Sequence, residues 1–424
     1  MKFFFPDSQD LVDPSFDFDT ETRDPRRVRQ RDDQYAHEVF KRPPYDGLLV
    51  SRGIVEGAGR YSLSQRQRLY REGGRSFFRL TGTGLKLMAD CGAFSYLNEE
   101  TPPVSVDQVL EFYRLLGCDY GISVDHVILA YRPDWDTGLF GVGGAAPEPI
   151  QRRQQITLDL AQRFFDVHAR GSYSFEPIGV AQGWSAASYG HSFGALQEMG
   201  FGYIALGGLV PLKTREILEI LEGCAPTRRT DVRVHLLGVT RPDTVPTFAR
   251  YGVVSFDSTS PLRQAFKDGK DNYYGLDRAF MAVRVPQVEG NPRLLRAIQA
   301  GRVSQERARR LERLCLETLR HWDAGRVPLT EALKWLEEYE ALVDPKRAHM
   351  AAYREVLESS PWSTCPCEVC RELGYHVILF RGAERNRRRG FHNVWMTRQR
   401  LDRALERSGG PTSKERAPKA LSAS

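Results

Sequence analysis

Three thiols fall within six residues of this 424-residue chain: Cys365, Cys367 and Cys370, in the stretch CPCEVC. The other four cysteines stand singly at 91, 118, 224 and 315, so the cluster is local chemistry and not the end of a disulfide framework. A C-x-C-x2-C spacing lets one tight loop aim three thiolates at a single ion, and tetrahedral zinc then requires a fourth ligand. His376 is near in sequence but lies in the apolar run YHVILF. His392, in GFHN, is the preferred ligand, because a distant residue lets a metal staple two separate pieces of chain. Four protein ligands leave no open position, so the expected Zn2+ is structural. The bland alternative is three reduced thiols without a metal.

A second group is spread along the chain but shares one context. Asp90 ends LMAD, Asp125 ends ISVD, Gln182 and Gly183 end GVAQG, Gly207 and Gly208 end IALGG, and Asp257 ends VVSFD. Each follows a short apolar run. One Asp after a strand is most often a cap for the next helix, but the joint occurrence weakens that reading. A third group is basic: residues 381–389, RGAERNRRR, carry five arginines and one glutamate. Phosphates attract such a patch, so Arg385, Arg387, Arg388 and Arg389 are expected to contact a nucleic-acid backbone. A solvated basic loop is the alternative.

The elements needed to position these groups are visible between residues 46 and 258. GLLVS, LKLMA, YGISV, PIGVA, YIALG, VHLLGV and GVVSF read as strands, separated by amphipathic stretches at 105–117, 151–170 and 214–223. Strand alternating with helix implies βα units and a parallel sheet. Seven runs, with AFMAVR at 279–284 as an eighth, favour an α/β protein with a closed (β/α)8 TIM barrel, in which the strand ends carrying the carboxylates open onto one face. The expected organisation is an N-terminal extension over 1–44 packing on the barrel, the barrel over 45–290, and a helical insertion of two or three helices over 291–360. A zinc-binding subdomain with a closing helix follows over 361–407, then a disordered polar tail over 408–424.

The totals agree with a folded enzyme-sized chain. An apolar fraction of 41% can build a sizeable core, and no run approaches the roughly 20 apolar residues needed to span a bilayer. The N-terminus turns acidic too soon for a signal peptide, so the expected location is cytoplasmic, with no membrane partner.

Taken in order, MADCGAF (88–94), GVAQG (179–183), YIALGGL (203–209), HLLGVTRP (235–242), SFDS (255–258), CPCEVC and FHN resemble the motifs of tRNA-guanine transglycosylases over roughly residues 45 to 400. The resemblance implies a zinc-bearing (β/α)8 enzyme, a pentosyltransferase that exchanges a guanine in a polynucleotide for a free 7-deazaguanine base. It places Asp257 at the family's nucleophile and Asp90 at its general acid/base. Asp125, Gln182, Gly207, Gly208 and the backbone of Leu209 fall where the base is recognised, and Phe94 and Leu237 where its ring is sandwiched. The residue types suit this: base exchange without inversion at C1′ needs two displacements, hence a carboxylate nucleophile and a second group that moves protons.

Departures from the tRNA enzymes bear on the substrate. DCGAF stands where a serine and a second glycine are usual, STSPLRQAFKDGKDNYYG replaces the Pro-Thr-Arg pattern after the nucleophile, and a helical stretch separates the nucleophile from the cysteines. The chain is most similar to the DpdA type, which implies DNA as partner and preQ0 as the inserted base in a DNA modification and restriction system. Transfer RNA is the alternative substrate, and a non-catalytic partner subunit the alternative class. A helper ATPase and a homodimer are further partners compatible with this reading. A zinc hydrolase barrel is disfavoured, since no histidine-rich site stands at the strand ends.

Overall fold

A computed structural model describes residues 1–57, 60–137, 145–239 and 241–408. Eight parallel strands close a barrel in chain order: β1 Lys2–Pro6, β2 Gly47–Ser51, β3 Lys86–Asp90, β4 Tyr120–Ile122, β5 Glu176–Ala181, β6 Tyr203–Leu206, β7 Arg233–Leu236 and β8 Val253–Asp257. The seven runs singled out above are β2 to β8. The eighth strand is a correction: it is supplied by KFFFP at the N-terminus, which pairs with β2 and β8 and shuts the cylinder. Phe3, Phe4 and Phe5 are buried, as expected of a parallel strand covered on both faces, whose sequence is a continuous apolar run without alternation. The 279–284 segment instead forms two two-residue strands, Ala279–Phe280 against Tyr273–Tyr274 and Val283–Arg284 against Leu379–Phe380.

The barrel interior is packed, not hollow. Phe4, Leu49, Met88, Tyr120, Ile122, Ile178, Val180, Tyr203 and Ala205 form one buried cluster drawn from six strands, with Leu237 and Val254 against it. These residues recur at every second position, the period with which side chains alternate across a strand.

The chain divides into two compact units. Of the described residues, the first contains those within 1–9, 45–259 and 400–408, and is the barrel. The second contains residues 10–44 and 260–399. Most of the expected N-terminal extension therefore belongs to the second unit, while its first residues are barrel. The insertion read over 291–360 also lies in the second unit and has four helices, Pro292–Gln299, Gln305–Asp323, Leu329–Val343 and Met350–Ser359. The helix Gly382–Arg407 follows the cysteine loop. Beyond Ser408 the polar tail lies outside the described residues.

The second unit corrects the reading of the arginine run. Arg388 and Arg389 are among the largest fully buried side chains in the described chain, and Arg385 is buried with them. Arg389 donates to the carbonyls of Ala265, Val377 and Leu379 and to Asn386 Oδ1, at 2.6–3.2 Å. Burial without a carboxylate partner pulls its pKa down to about 9. Arg388 reaches the Asp13 carbonyl and Glu372, both at 2.9 Å, and Arg385 bonds Glu21 and the Phe18 carbonyl. Arg387 is partly exposed, 3.7 Å from Glu384. The run therefore tethers loops by donating to mostly buried backbone carbonyls. Three of the four expected phosphate contacts face inward.

Candidate active site

At the C-terminal ends of the barrel strands the register sets polar groups side by side. Ser51 and Asp90 are direct partners across β2 and β3, and Ser51 hydrogen-bonds the Asp90 carboxyl. Gly92 N–H donates to Asp90 Oδ1 at 2.6 Å. Burial is the largest influence on this carboxyl, and the charges of Asp257 and Asp125 add to it, so its pKa is pushed up to about 7 against the two hydrogen bonds that favour the anion. The Asp257 and Asp90 carboxyls thus act on each other electrostatically.

Asp125 follows β4 and is buried. Gln182, at the end of β5, donates from Nε2 to Asp125 Oδ2 at 2.7 Å and accepts from the Ile128 N–H at 3.1 Å, which fixes the amide's orientation. The Cys91 thiol lies 3.4 Å from Asp125 Oδ1, and Tyr96 donates to the Asp125 carbonyl at 3.1 Å. Burial raises the Asp125 pKa to about 6, partly offset by Gln182 and Cys91. Gly207 and Gly208 follow β6. A Cβ at Gly207 would sit 2.2 Å from Gln182 Nε2, and one at Gly208, whose φ is +74°, would sit 2.3 Å from the Ile128 carbonyl. Glycine is required at Gly208 for backbone to approach this closely, and a side chain at Gly207 would displace the Gln182 amide. Leu209 is buried, Leu237 is half-buried beside the core cluster, and Phe94, in the turn Ala93–Tyr96, is 54% exposed.

Asp257 ends β8 and is 6% exposed. Its Oδ1 accepts the Gly238 N–H at 2.9 Å and faces His235 Nε2 at 3.2 Å. Its Oδ2 has no hydrogen-bond partner among the described residues. Behind it, His235 Nδ1 lies 2.6 Å from Ser255 Oγ, which in turn bonds the Tyr203 hydroxyl. Sequence reasoning did not select Gly238, His235, Ser255 or Tyr203. The signal was available: His235 and Ser255 are polar residues inside apolar strands, and Ser255 lies one strand period before Asp257.

The second unit holds the cysteine cluster. Cys365, Cys367, Cys370 and His392 are buried, and their ligand atoms all lie within 4.8 Å of one another. His392 Nδ1 is 3.3–3.8 Å from the three sulfurs, while its Nε2 lies 2.7 Å from the Tyr274 carbonyl. That contact places the N–H on Nε2 and aims a lone pair at the sulfurs, the arrangement a metal-bound imidazole requires. Tyr273 stacks on the His392 ring at 4.2 Å and approaches Cys370 Sγ at 3.4 Å. Hydrogen bonding between neighbouring sulfurs holds the Cys365 thiol low and drives Cys367 up to about 12. Such crowded thiols ionise together only around a cation. His376 is elsewhere, 3.4 Å from Asp19.

Barrel, strand-end carboxylates and Cys3His cluster together define a class of nucleobase-exchanging barrel enzymes, and comparison with known proteins agrees. The family model described as queuine tRNA-ribosyltransferase matches residues 73–270. A DNA-guanine transglycosylase from Salmonella montevideo is 47% identical over 413 residues, covering 96% of this chain and 97% of that one. Queuine tRNA-ribosyltransferases from Psychrobacter cryohalolentis and Pseudomonas aeruginosa are 29% and 31% identical, over 28% and 27% of this chain and 32% and 31% of theirs. The chain belongs to the tRNA-guanine transglycosylase superfamily, in its DpdA-type, DNA-guanine transglycosylase branch. It is a guanine transglycosylase, an enzyme of the pentosyltransferase class. Among the described residues no helix is long and apolar enough to cross a membrane.

Proposed function

We propose that this enzyme replaces a guanine in DNA by a 7-deazaguanine base, preQ0, through a covalent glycosyl intermediate on Asp257, within a DNA modification and restriction system. The observation that carries the reading is the asymmetric environment of Asp257 beside Asp90. One oxygen of Asp257 is engaged by Gly238 and His235 and the other is uncommitted, and the charge of Asp257 acts on the Asp90 carboxyl, whose pKa is pushed up to about 7. In the first step Asp257 Oδ2 bonds to C1′ as the C1′–N9 bond breaks, and Asp90 gives its proton to the departing guanine. In the second, Asp90 takes the N9 proton of the incoming base, N9 bonds to C1′, and the C1′–O electron pair returns to Asp257. A general acid/base works best with a pKa near the operating pH.

Asp125, Gln182 and the backbone at Gly207, Gly208 and Leu209 hold the polar edge of the base, and Phe94 and Leu237 flank its ring. Burial of Asp125 and its two fixing contacts support a pre-set recognition group. The target nucleotide leaves its stack to enter. Zn2+ at Cys365, Cys367, Cys370 and His392 supplies no chemistry to the reaction; the donor set and the fixed His392 tautomer suit a closed structural site.

DNA is favoured over tRNA because the relative named for DNA spans nearly the whole of both chains. The partial match to the tRNA family model keeps tRNA as the second reading. The presence of both Asp90 and Asp257 speaks against a non-catalytic subunit. Incubation of the purified protein with labelled preQ0 and either duplex DNA, single-stranded DNA or tRNA tests the proposal. Label retained in DNA is expected, and label in tRNA alone would overturn the choice of polymer.

A further inference from the structure

The chain Asp257–His235–Ser255–Tyr203 follows from strand geometry. His235 and Ser255 are register partners on β7 and β8, and Asp257, two residues beyond Ser255, faces the same side of its strand. His235 and Ser255 have no exposed surface, and Tyr203 is 2% exposed. No solvent reaches the ring, so its hydrogens must be assigned within the chain. An ionised carboxylate only accepts, so Asp257 Oδ1 requires the proton on His235 Nε2. A neutral ring then presents a lone pair at Nδ1, which requires the Ser255 O–H. The Ser255 oxygen in turn accepts from the Tyr203 O–H. Each of the three side chains behind Asp257 donates once, and the direction of donation runs toward the carboxylate. The charged alternative, with both ring nitrogens protonated, would reverse the Ser255 bond and, whichever way the Ser255–Tyr203 bond then runs, leave one of those two O–H groups without an acceptor among the described residues.

We infer that His235, held in its Nε2–H tautomer by Ser255 and Tyr203, is a positioning residue that with the Gly238 N–H forms a two-donor cradle on Asp257 Oδ1. The cradle has two consequences, both resting on the covalent reading above. It leaves Oδ2 as the attacking atom. It also stabilises the carboxylate that reappears when the second base displaces it, because hydrogen bonds to an anion favour the anion. The nucleophile is made slightly less reactive and a much better leaving group, so the benefit falls on the second half-reaction.

The test separates the half-reactions. Enzyme and guanine-containing DNA are quenched in denaturant with no free base added, and the protein–DNA adduct is quantified. Labelled preQ0 is then added and adduct decay is followed. For His235→Ala the second rate is expected to fall on the order of 10²-fold, as when one donor to a developing oxyanion is removed. Adduct formation should be little changed, so adduct accumulates during turnover. His235→Gln, whose amide can still donate, should recover part of the loss. Ser255→Ala keeps the ring but frees its tautomer, and should slow decay roughly 10-fold, as loss of a supporting contact does. Equal slowing of both steps, or wild-type decay in the two histidine variants, would overturn the cradle. If His235→Ala does not fold, Ser255→Ala decides, together with nitrogen NMR of the wild type: a protonated Nδ1 on His235 overturns the assignment. Adduct formed by Asp257→Ala would instead sink the covalent reading itself, a result that wild-type behaviour of His235→Ala cannot mimic.

Discussion

The carboxylate site of the barrel and the Cys3His cluster of the second unit both gather four or more polar side chains in a confined space, but they commit their lone pairs differently. At the cluster, every ligand atom points at the same small volume, and His392 spends its other nitrogen on Tyr274. Nothing is left over for a substrate. Around the carboxylates the commitment is uneven: Asp125 has both oxygens engaged, by Cys91 and Gln182, Asp90 is held by Ser51 and Gly92, and Asp257 is held through Oδ1 alone. A site that leaves one acid an uncommitted oxygen can react; one whose donors all converge can only bind and hold.

The comparison breaks most sharply at Asp257. Asp257→Asn keeps the shape and a carbonyl for Gly238 but removes the nucleophilic charge, so base exchange should fall by about 10⁴-fold or more, as when a covalent nucleophile is lost. Activity within tenfold of wild type, measured by preQ0 incorporation, would place the chemistry elsewhere. The matching change at the cluster, Cys367→Ser, should leave the carboxylates untouched and act through folding. Metal analysis should show zinc lost together with several kcal/mol of stability, since metal binding there is folding free energy. A metal-free variant melting with the wild type would contradict a structural ion.

How far the two sites were legible differs for the same physical reason. The cysteine loop is local: three ligands within six residues announce themselves, and His392 lies only 22 positions on from Cys370. The strand-end acids are 35 and 132 residues apart in succession, and the closed-barrel inference and the family resemblance are what join Asp90, Asp125 and Asp257. That inference survived a misassigned strand, because an order of seven βα units already fixes which ends face together. What stayed hidden were properties of three-dimensional pairing. KFFFP reads as the start of an extension packed on the barrel until its partners on both sides are known. RGAERNRRR reads as a basic patch because composition cannot tell which carbonyls a guanidinium will find. His235 reads as one polar residue in a strand, since its worth depends on register with Ser255.

The arginines sharpen the contrast at a smaller scale. Arg389→Met would remove a donor from three backbone carbonyls and Asn386, of which Leu379 keeps a second donor, the Arg381 N–H, and should destabilise the protein by about 3 kcal/mol. Arg387→Met, at a partly exposed position with a long contact to Glu384, should cost under about 1 kcal/mol. Denaturant titration of both variants checks the order. DNA affinity of the folded fraction should be unchanged for Arg389→Met, and a selective loss of affinity at full stability would restore the phosphate-contacting role.

The smallest effect expected is that of pH on the partition between the two half-reactions. With the Asp90 pKa at about 7, protonation of the leaving guanine fails as pH rises past that value, while deprotonation of the incoming base fails as pH falls below it. Adduct should therefore accumulate during turnover at pH 6 and be scarce at pH 8, with each step changing by at most about tenfold per pH unit. The same shift carries a stability signature of fixed sign. The folded state holds the Asp90 proton more tightly than the unfolded chain, whose carboxyl titrates near 3.8. Stability associated with this proton is complete below about pH 4 and lost as pH rises through about 7. Asp125, raised to about 6, acts in the same direction. Asp90→Asn should accordingly melt above the wild type by a margin that grows from pH 4 to pH 8, while its adduct chemistry fails at every pH. A margin independent of pH would mean that the carboxyl is not held protonated by its surroundings, and the division of labour between the two acids would lose its basis.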